Sequence, residues 1–201
     1  MDLKCANLLN QIISTQGLIS YDLKGRGIEV KKGRFSPVYI NMKSIWSNPI
    51  LLSSITEQLK EKCVGCNCII GIETGGSPFA SVIAKELETP LVLARKEPKN
   101  MNIFAGEPIS GGGSVAILDD VLATGLSTER VVKNIQKVNR KIILVVVLSY
   151  GMDKLIAKKY GITIHTLYHI EDFIQALPPQ QTKLLKPYIV AYQEKLLELV
   201  K

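Results

Sequence analysis

The pattern of apolar and polar residues changes character along the chain. Near the start, apolar residues recur every three or four positions, which predicts a helix over residues 2–16, and Gly17 stands where this helix would end. Short segments of extended character follow up to residue 42. Pro49 suits the first turn of a helix, so we predict a second helix from there to about residue 62.

From residue 68 onward, continuous apolar runs alternate with amphipathic segments. We predict strands at residues 68–72, 91–94, 115–118, 142–148 and 162–167, and helices at residues 77–87, 127–138, 152–160 and 182–201. Continuous apolar strands separated by helices are typical of a parallel sheet whose two faces are both buried. The predicted fold class is therefore α/β, a Rossmann-like parallel sheet flanked by helices. We expect a single domain of 201 residues, in which about the first 42 residues form a small N-terminal hood.

One interval interrupts this alternation. Residues 95–114 show no clear periodicity and contain Pro98, Pro108 and the run Gly111-Gly112-Gly113. A loop of this length inside a compact α/β domain is more often functional than accidental. Glycines of this kind can serve as the hinge of a lid. We therefore predict a mobile active-site loop over residues 95–114.

Composition and charge narrow the class of protein. Hydrophobic residues make up 46% of the chain and charged residues 21%, which suits a globular domain with a full core. No apolar run approaches the roughly 20 residues of a membrane span, and the first residues lack the order of a signal peptide. We expect a cytoplasmic protein with no membrane partner. The net charge of +7 comes from scattered lysines without interleaved aromatic residues, so we expect a phosphorylated small substrate rather than nucleic acid.

Three of the four cysteines lie close together. Cys63, Cys66 and Cys68 include one pair with the two-residue spacing of zinc and redox sites, but no second pair follows. Both histidines, His165 and His169, are far along the chain. We predict structural thiols, with a metal site or a disulfide as the alternatives.

Residues 115–128 combine a buried strand, the adjacent acids Asp119 and Asp120, and a short Thr-Gly turn into a helix. In open parallel sheets, ligands bind just outside the carboxyl ends of the strands. The turn over residues 123–127 presents backbone N–H groups at a helix N-terminus, where the helix dipole favours a phosphate. The hydroxyls of Thr124, Ser127 and Thr128 add donors, and Gly125 allows the backbone to approach the anion closely.

The two carboxylates would repel a phosphate, but they can accept hydrogen bonds from sugar hydroxyls and lie near a magnesium ion. Alternatively, Asp119 and Asp120 only cap the helix that follows. Acids, turn and hydroxyls in this order favour a phosphosugar site. The chain has no Walker lysine pattern, which disfavours a P-loop kinase.

This segment resembles the phosphoribosyl-pyrophosphate motif of the type I phosphoribosyltransferases. Three further stretches resemble the orotate phosphoribosyltransferase family: residues 31–41 (Lys-Lys-Gly-Arg-Phe-Ser-Pro-Val-Tyr-Ile-Asn), residues 71–78 (Gly-Ile-Glu-Thr-Gly-Gly-Ser-Pro) and residues 95–99 (Arg-Lys-Glu-Pro-Lys). Their order and spacing are similar to that family across roughly residues 5–175. The resemblance implies the type I phosphoribosyltransferase fold and transfer of ribose-5-phosphate to orotate.

The resemblance also implies the roles of individual residues. The turn at 73–76 would hold pyrophosphate with its amides, Arg95 and Lys96 would contact phosphates, and Lys31 would lie near the base. Lys99 would lie on a mobile loop that closes over the active site of the other subunit of a homodimer. The implied catalytic residues are Lys99 and Asp120. The implied substrate-binding residues are Lys31, Glu73, Thr74, Gly75, Gly76, Arg95, Lys96, Lys99, Asp119, Asp120, Val121, Leu122, Ala123, Thr124, Gly125, Leu126 and Ser127. The implied cofactor is Mg²⁺, held mainly by the substrate with Asp119 and Asp120 nearby and no direct protein ligand.

Three positions depart from the family pattern. Met101 stands where the loop usually has a histidine, and Ala123 stands at the first threonine of the usual turn. Tyr150 stands where the family typically has an arginine that helps to hold orotate. Two alternatives to an orotate enzyme therefore stay open: a phosphoribosyltransferase for another base, and a non-catalytic regulator that binds phosphoribosyl pyrophosphate. The absence of a helix-turn-helix segment from the sequence disfavours a regulator that reads DNA.

Overall fold

The computed structural model describes residues 3–31, 33–99, 102–106, 112–135 and 141–200, without the side chains of Leu3, Lys4, Lys31, Pro98 and Lys99. None of the described helices combines the length and the apolar character needed to cross a membrane.

The N-terminal part contains one helix and two small antiparallel ribbons. Helix α1 spans Leu3–Ile13, and four strands follow: β1 (Ile19–Tyr21), β2 (Ile28–Lys31), β3 (Arg34–Ser36) and β4 (Val38–Ile40). Strand β1 pairs with β4, and β2 pairs with β3. A 3₁₀ helix over Met42–Ser47 then leads to α2 (Pro49–Lys60), whose first turn is capped by the Asn48 side chain.

A six-stranded sheet forms the centre of the fold. Its strands are β5 (Cys68–Ile72), β6 (Leu91–Lys99), β7 (Asn102–Ala105), β8 (Ser114–Leu122), β9 (Lys141–Ser149) and β10 (Thr163–His169). Their order across the sheet is β10-β9-β8-β5-β6-β7. Neighbouring strands are parallel except at the edge, where β7 runs antiparallel to β6. The predicted α/β class with a mostly parallel sheet is confirmed.

Five further helices accompany the sheet: α3 (Ser77–Glu86), α4 (Leu126–Ile135), α5 (Asp153–Tyr160), α6 (Ile170–Ala176) and α7 (Pro179–Val200). All five residues of β5 are buried, as the continuous apolar run predicts for a strand covered on both faces. The hydrophobic core is continuous from Leu8 in α1 to Val200 in α7. The N-terminal ribbons and the last helix therefore share one core with the sheet.

The structure corrects two of the predicted boundaries at the carboxyl side of the sheet. Strand β6 runs on to Lys99 and pairs with β7, so the predicted loop over residues 95–114 contains a β-hairpin. Residues 107–111, with Pro108 and Gly111, and Met101 lie outside the described residues. Strand β8 continues to Leu122, so the acids Asp119 and Asp120 belong to the strand rather than following it. In both places, polar residues ended the apolar pattern before backbone pairing ended.

Candidate active site

A cavity of about 760 Å³ lies at the carboxyl ends of β5 and β8. These strands are neighbours in the sheet, but the chain leaves β5 toward β6 on one side and leaves β8 toward β9 on the other. Open α/β sheets bind ligands where the strand order reverses in this way, because the loops diverge there and leave a crevice. The walls come from the N-terminal ribbons, the turns after β5 and β8, strand β6 and helix α7.

The acid pair lies in the floor of this cavity. Asp119 is only 8% exposed, and its Oδ1 accepts a hydrogen bond of 2.9 Å from the backbone N–H of Asp120. Burial, and then the neighbouring Asp120 carboxylate, raise the pKa of Asp119 well above the usual range, while the Lys43 ammonium acts in the opposite direction. A proton or a hydrogen-bond donor from a ligand would relieve this arrangement, so the pair is suited to bind hydroxyl groups.

The turn from β8 into α4 is shaped by Gly125. Its φ of 70° is left-handed, and a Cβ atom there would lie 2.7 Å from the Ile156 Cδ1 atom. The Gly125 carbonyl accepts the first hydrogen bond of the helix, 2.7 Å from the Glu129 nitrogen. The N–H groups of the first turn of α4 therefore have no partner within the helix, as an anion site requires.

Thr128 adds a second indication of a ligand at this helix terminus. Its side chain is 1% exposed and lines the cavity, yet its Oγ1 has no hydrogen-bond partner among the described residues. A buried hydroxyl without a partner costs about 1–3 kcal/mol. A ligand oxygen bound at the N-terminus of α4 would supply the missing partner.

The turn after β5 packs tightly against the end of β8. A Cβ atom at Gly75 would lie 2.1 Å from the Asp120 Cγ atom, and one at Gly76 would lie 1.9 Å from the Leu118 carbonyl oxygen. Only residues without a side chain allow this approach. The Glu73–Thr74 peptide bond within this turn is cis. The two turns thereby face the same cavity, one on each side of the switch in strand order.

Among the described residues, four basic side chains line the cavity: Arg34, Lys43, Lys96 and Arg130. Arg130 of α4 donates to the backbone carbonyls of Arg95 and Lys96, which fixes β6 to the helix that carries the predicted phosphate turn. The Glu73 carboxylate accepts a 3.3 Å hydrogen bond from the Lys96 backbone N–H. Strand β6 is therefore held from both turns.

Most of the predicted site residues come together in this cavity. Its lining includes Glu73, Thr74, Gly75, Lys96, Asp119, Asp120, Val121, Leu122, Ala123, Thr124, Gly125, Leu126 and Ser127. Gly76 contacts the β8 backbone instead. Arg95 does not line the cavity, because its guanidinium turns away and donates to the Phe104 carbonyl at 2.8 Å. The phosphate contact of Arg95 stays a prediction. The side chains of Lys31 and Lys99 lie outside the described residues.

The cavity also contains aromatic residues that the sequence did not single out. Tyr39 of β4 and Tyr192 of α7 line it together with Tyr150. The rings of Tyr150 and Tyr192 meet edge to face, with centroids 6.0 Å apart and an interplanar angle of 83°. Tyr39 belongs to the stretch at residues 31–41, whose family resemblance pointed to the site. No local pattern connects α7 with the cavity.

The cysteine cluster is separate from this cavity. Cys63, Cys66 and Cys68 are buried in the hydrophobic core, and burial raises the pKa of Cys63 to about 12. Such a thiol stays protonated at neutral pH. Within the described part of the chain, no group of three or more His, Cys, Asp or Glu side chains is arranged to hold a metal ion.

Comparison with known proteins identifies the class to which this site belongs. The model of the phosphoribosyl transferase domain matches residues 50–180, so the chain belongs to that family. Among curated proteins, the orotate phosphoribosyltransferase of Pyrobaculum aerophilum is 28% identical over 78% of this chain and 85% of its own length. The orotate phosphoribosyltransferase of Sulfolobus acidocaldarius is 29% identical over 81% of this chain and 82% of its own length.

A solved structure supports the fold. The orotate phosphoribosyltransferase from Aeropyrum pernix superposes with a TM-score of 0.69 at 23% identity, covering 83% of this chain and 96% of the other. The predicted family and fold are thereby confirmed. The matched range of the family model excludes β1 to β4 and most of α7, which supply Arg34, Tyr39 and Tyr192 to the cavity.

Proposed function

We propose that this protein is an orotate phosphoribosyltransferase of de novo pyrimidine (UMP) biosynthesis. It would transfer ribose-5-phosphate from phosphoribosyl pyrophosphate to a ring nitrogen of orotate, giving orotidine 5′-phosphate and pyrophosphate. The observation that carries the proposal is the juxtaposition, in one cavity, of the Asp119–Asp120 pair and an anion-binding helix terminus with the unpartnered Thr128 hydroxyl. The curated relatives with this name support the choice of orotate.

The arrangement suits a reaction that needs no protein nucleophile. A bond forms between the ring nitrogen and the first carbon of the ribose, the bond from that carbon to pyrophosphate breaks, and the proton of the ring nitrogen is lost to solvent. Positive charge develops on the sugar and negative charge on the departing group. The protein therefore acts by positioning and by electrostatic stabilisation. The turn at 123–127 would bind the 5′-phosphate, and the turn at 73–76 would hold the pyrophosphate.

The acid pair would position the sugar. Asp119 and Asp120 would accept hydrogen bonds from the two ribose hydroxyls, which keeps the reacting carbon fixed between base and pyrophosphate. Lys96 lines the cavity on the pyrophosphate side. Lys99, at the end of β6, stays a predicted catalytic residue that neutralises the leaving group. The homodimer with shared active sites and the cytoplasmic location also stay predictions.

Magnesium fits this cavity as a cofactor bound together with the substrate. The carboxylates of Asp119 and Asp120 are hard oxygen ligands of the kind that Mg²⁺ prefers, but two carboxylates cannot complete an octahedral site. We propose that phosphate oxygens of the substrate supply most of the ligands and that the acid pair lies nearby. When bound, the ion would neutralise charge on the pyrophosphate.

The Thr128 hydroxyl provides one test of the phosphate site. We expect Thr128→Val, which keeps the shape of the side chain, to weaken binding of phosphoribosyl pyrophosphate by about 5- to 10-fold, the value of one hydrogen bond of roughly 1–1.5 kcal/mol. The unliganded variant should be at least as stable as the wild type, because a buried hydroxyl without a partner is removed. Titration calorimetry and thermal unfolding measure the two effects. Unchanged binding would show that Thr128 does not contact the ligand.

A panel of bases tests the proposed function. With phosphoribosyl pyrophosphate and magnesium, we expect kcat/KM for orotate to exceed that for uracil, adenine, guanine and hypoxanthine by at least about 100-fold, since a site built for a charged group rejects analogues that lack it. Preference for another base would identify a different phosphoribosyltransferase. Tight binding of phosphoribosyl pyrophosphate without turnover of any base would identify a regulator.

A further inference from the structure

One part of the cavity wall, the base end, is built from residues distant in sequence. It is formed by Arg34 of β3, Tyr39 of β4, Tyr150 after β9, and Tyr192 and Leu196 of α7. Three aromatic rings and one guanidinium at one end of a cavity suit a flat, negatively charged molecule, because rings cover its faces and the cation pairs with its charge. If the protein acts on orotate, this end is where the base would lie.

Helix α7 is fixed in place over this end. The Gln193 side chain donates a 3.0 Å hydrogen bond to the Tyr150 carbonyl, and the Tyr150 N–H donates a 3.0 Å bond to the Leu122 carbonyl. Gly151 has a φ of 84°, and a Cβ atom there would lie 2.9 Å from the Gln193 Nε2 atom. The turn after β9 therefore admits α7 closely, and Tyr192 is held against Tyr150 as part of the wall.

Among the side chains that the structure describes, Arg34 is the cation available at the base end. Lys43 acts on the buried Asp119, Arg130 is engaged by the carbonyls of Arg95 and Lys96, and Lys96 lies beside the turn after β5. Among the described residues, no carboxylate forms an ion pair with Arg34. Its positive charge reaches the hydroxyl of Tyr192, where it opposes the effect of burial on the pKa of that tyrosine.

We propose that Arg34 and Tyr192 determine base specificity: the Arg34 guanidinium pairs with the carboxylate of the base, and the Tyr192 ring, set edge-on against Tyr150, covers the base plane. This inference rests on the proposed function. It also explains how Tyr150 can stand where the family typically has an arginine. The carboxylate is held by a cation from the N-terminal ribbon rather than from the end of β9. The C-terminal helix thus becomes part of the base site.

Steady-state kinetics with orotate and with uracil, which is the same ring without the carboxylate, test this proposal. We expect Arg34→Ala to raise KM for orotate by about 10- to 100-fold, the effect of losing a charged hydrogen bond. The ratio of kcat/KM for orotate to that for uracil should fall by the same factor, and the Kd for phosphoribosyl pyrophosphate should stay within 2-fold of the wild type. Arg34→Lys keeps the positive charge without the planar guanidinium group. Its KM for orotate should lie between those of the wild type and Arg34→Ala.

Arg26→Ala is the matched control. Arg26 belongs to the same N-terminal region, but its guanidinium stacks on the Phe35 ring 4.0 Å from the centroid and does not line the cavity. The KM of Arg26→Ala for orotate should equal that of the wild type. For Tyr192, we expect Tyr192→Phe to keep the wild-type KM for orotate and Tyr192→Ala to raise it by about 3- to 10-fold, because the ring rather than the hydroxyl covers the base.

The outcomes separate this inference from the proposed function. A wild-type protein that does not use orotate contradicts the proposed function before any variant is compared. An active wild type whose KM for orotate is unchanged in both Arg34 variants overturns the role of Arg34. An unchanged KM in Tyr192→Ala overturns the role of the helix. Wild-type affinity for phosphoribosyl pyrophosphate in each variant shows that the fold is retained, and Arg34→Lys decides the matter if Arg34→Ala does not fold.

Discussion

Replacing Gly76 with alanine is expected to prevent folding or to lower the free energy of unfolding by several kcal/mol. The added Cβ atom would lie 1.9 Å from the Leu118 carbonyl oxygen and 3.0 Å from the Asp119 Cα atom. Both are backbone atoms of β8, a central strand paired with β5 and β9, so neither can move without breaking the sheet. The measurement is chemical denaturation of the purified variant, together with its yield of soluble protein.

Gly75→Ala provides the control at the adjacent position. The three atoms nearest to its Cβ atom would all belong to the carboxylate of Asp120, 2.1 Å away, which is the end of a side chain that can rotate. We expect a loss of stability of about 1 kcal/mol or less and a loss of activity of at least about 10-fold, because the displaced carboxylate no longer holds the ribose. Equal effects of the two substitutions on stability would contradict the close packing of this turn on β8.

Asp119→Asn is expected to stabilise the unliganded protein at neutral pH while lowering turnover by about 10- to 100-fold. Burial and the Asp120 carboxylate raise the pKa of Asp119, so the folded protein retains this proton to a higher pH than the unfolded chain does. The stability that this protonation contributes is present below the unfolded pKa of about 4 and is lost as the pH rises through the folded pKa. At neutral pH, the raised pKa of Asp119 therefore lowers the free energy of unfolding.

Thermal unfolding across pH measures this effect. The variant should exceed the wild type by about 2–4 °C or more at pH 7, the shift that 1 kcal/mol produces in a chain of this size. The two melting temperatures should converge near pH 4 and below. Asparagine retains an oxygen that can accept the Asp120 N–H bond, so the local geometry should survive. A variant that is less stable than the wild type at pH 7 would contradict the pKa shift.

The sequence predicted the sheet because the sheet depends on a local signal. Strands such as Cys68–Ile72 are continuous apolar runs with turn residues at both ends, and the predicted bounds of that strand equal the observed ones. Helix α6 (Ile170–Ala176) was missed, since it follows β10 directly and spans only seven residues. Its N-cap is His169 rather than one of the residue types that usually mark the start of a helix. The backbone N–H of His169 donates to the Asp172 carboxylate at 2.8 Å.

The hairpin of β6 and β7 was missed for a different reason. Its first strand continues through Arg95, Lys96 and Glu97, which have no apolar periodicity. Tertiary contacts stabilise the extended conformation there: Arg130 binds two carbonyls of the strand, and β7 pairs along its edge. Such long-range pairing overrides local pattern. The phosphate contact of Arg95 is implied by the family resemblance and stays a prediction, while in this structure the guanidinium donates to the Phe104 carbonyl.

The candidate site was likewise predicted where its residues are neighbours in sequence and missed where they are distant. The turn and acids at residues 119–127 were predicted because strand, acids, glycine and helix follow one another within a single segment. The resemblance placed Lys31 and Tyr150 near the base, but the roles of Arg34 and Tyr192 were not predicted. These two residues meet Tyr150 only through the packing of α7 against the N-terminal ribbons and the turn after β9. No spacing in the sequence encodes that contact.

The stoichiometry of product formation tests the proposed transfer of ribose-5-phosphate to orotate most directly. With phosphoribosyl pyrophosphate, magnesium and limiting orotate, the fall in orotate absorbance and the release of pyrophosphate are followed in the same reaction. We expect one pyrophosphate to be released for each orotate consumed, at a rate that depends on both substrates. Binding of phosphoribosyl pyrophosphate with no consumption of orotate, or pyrophosphate release that does not depend on orotate, would contradict it.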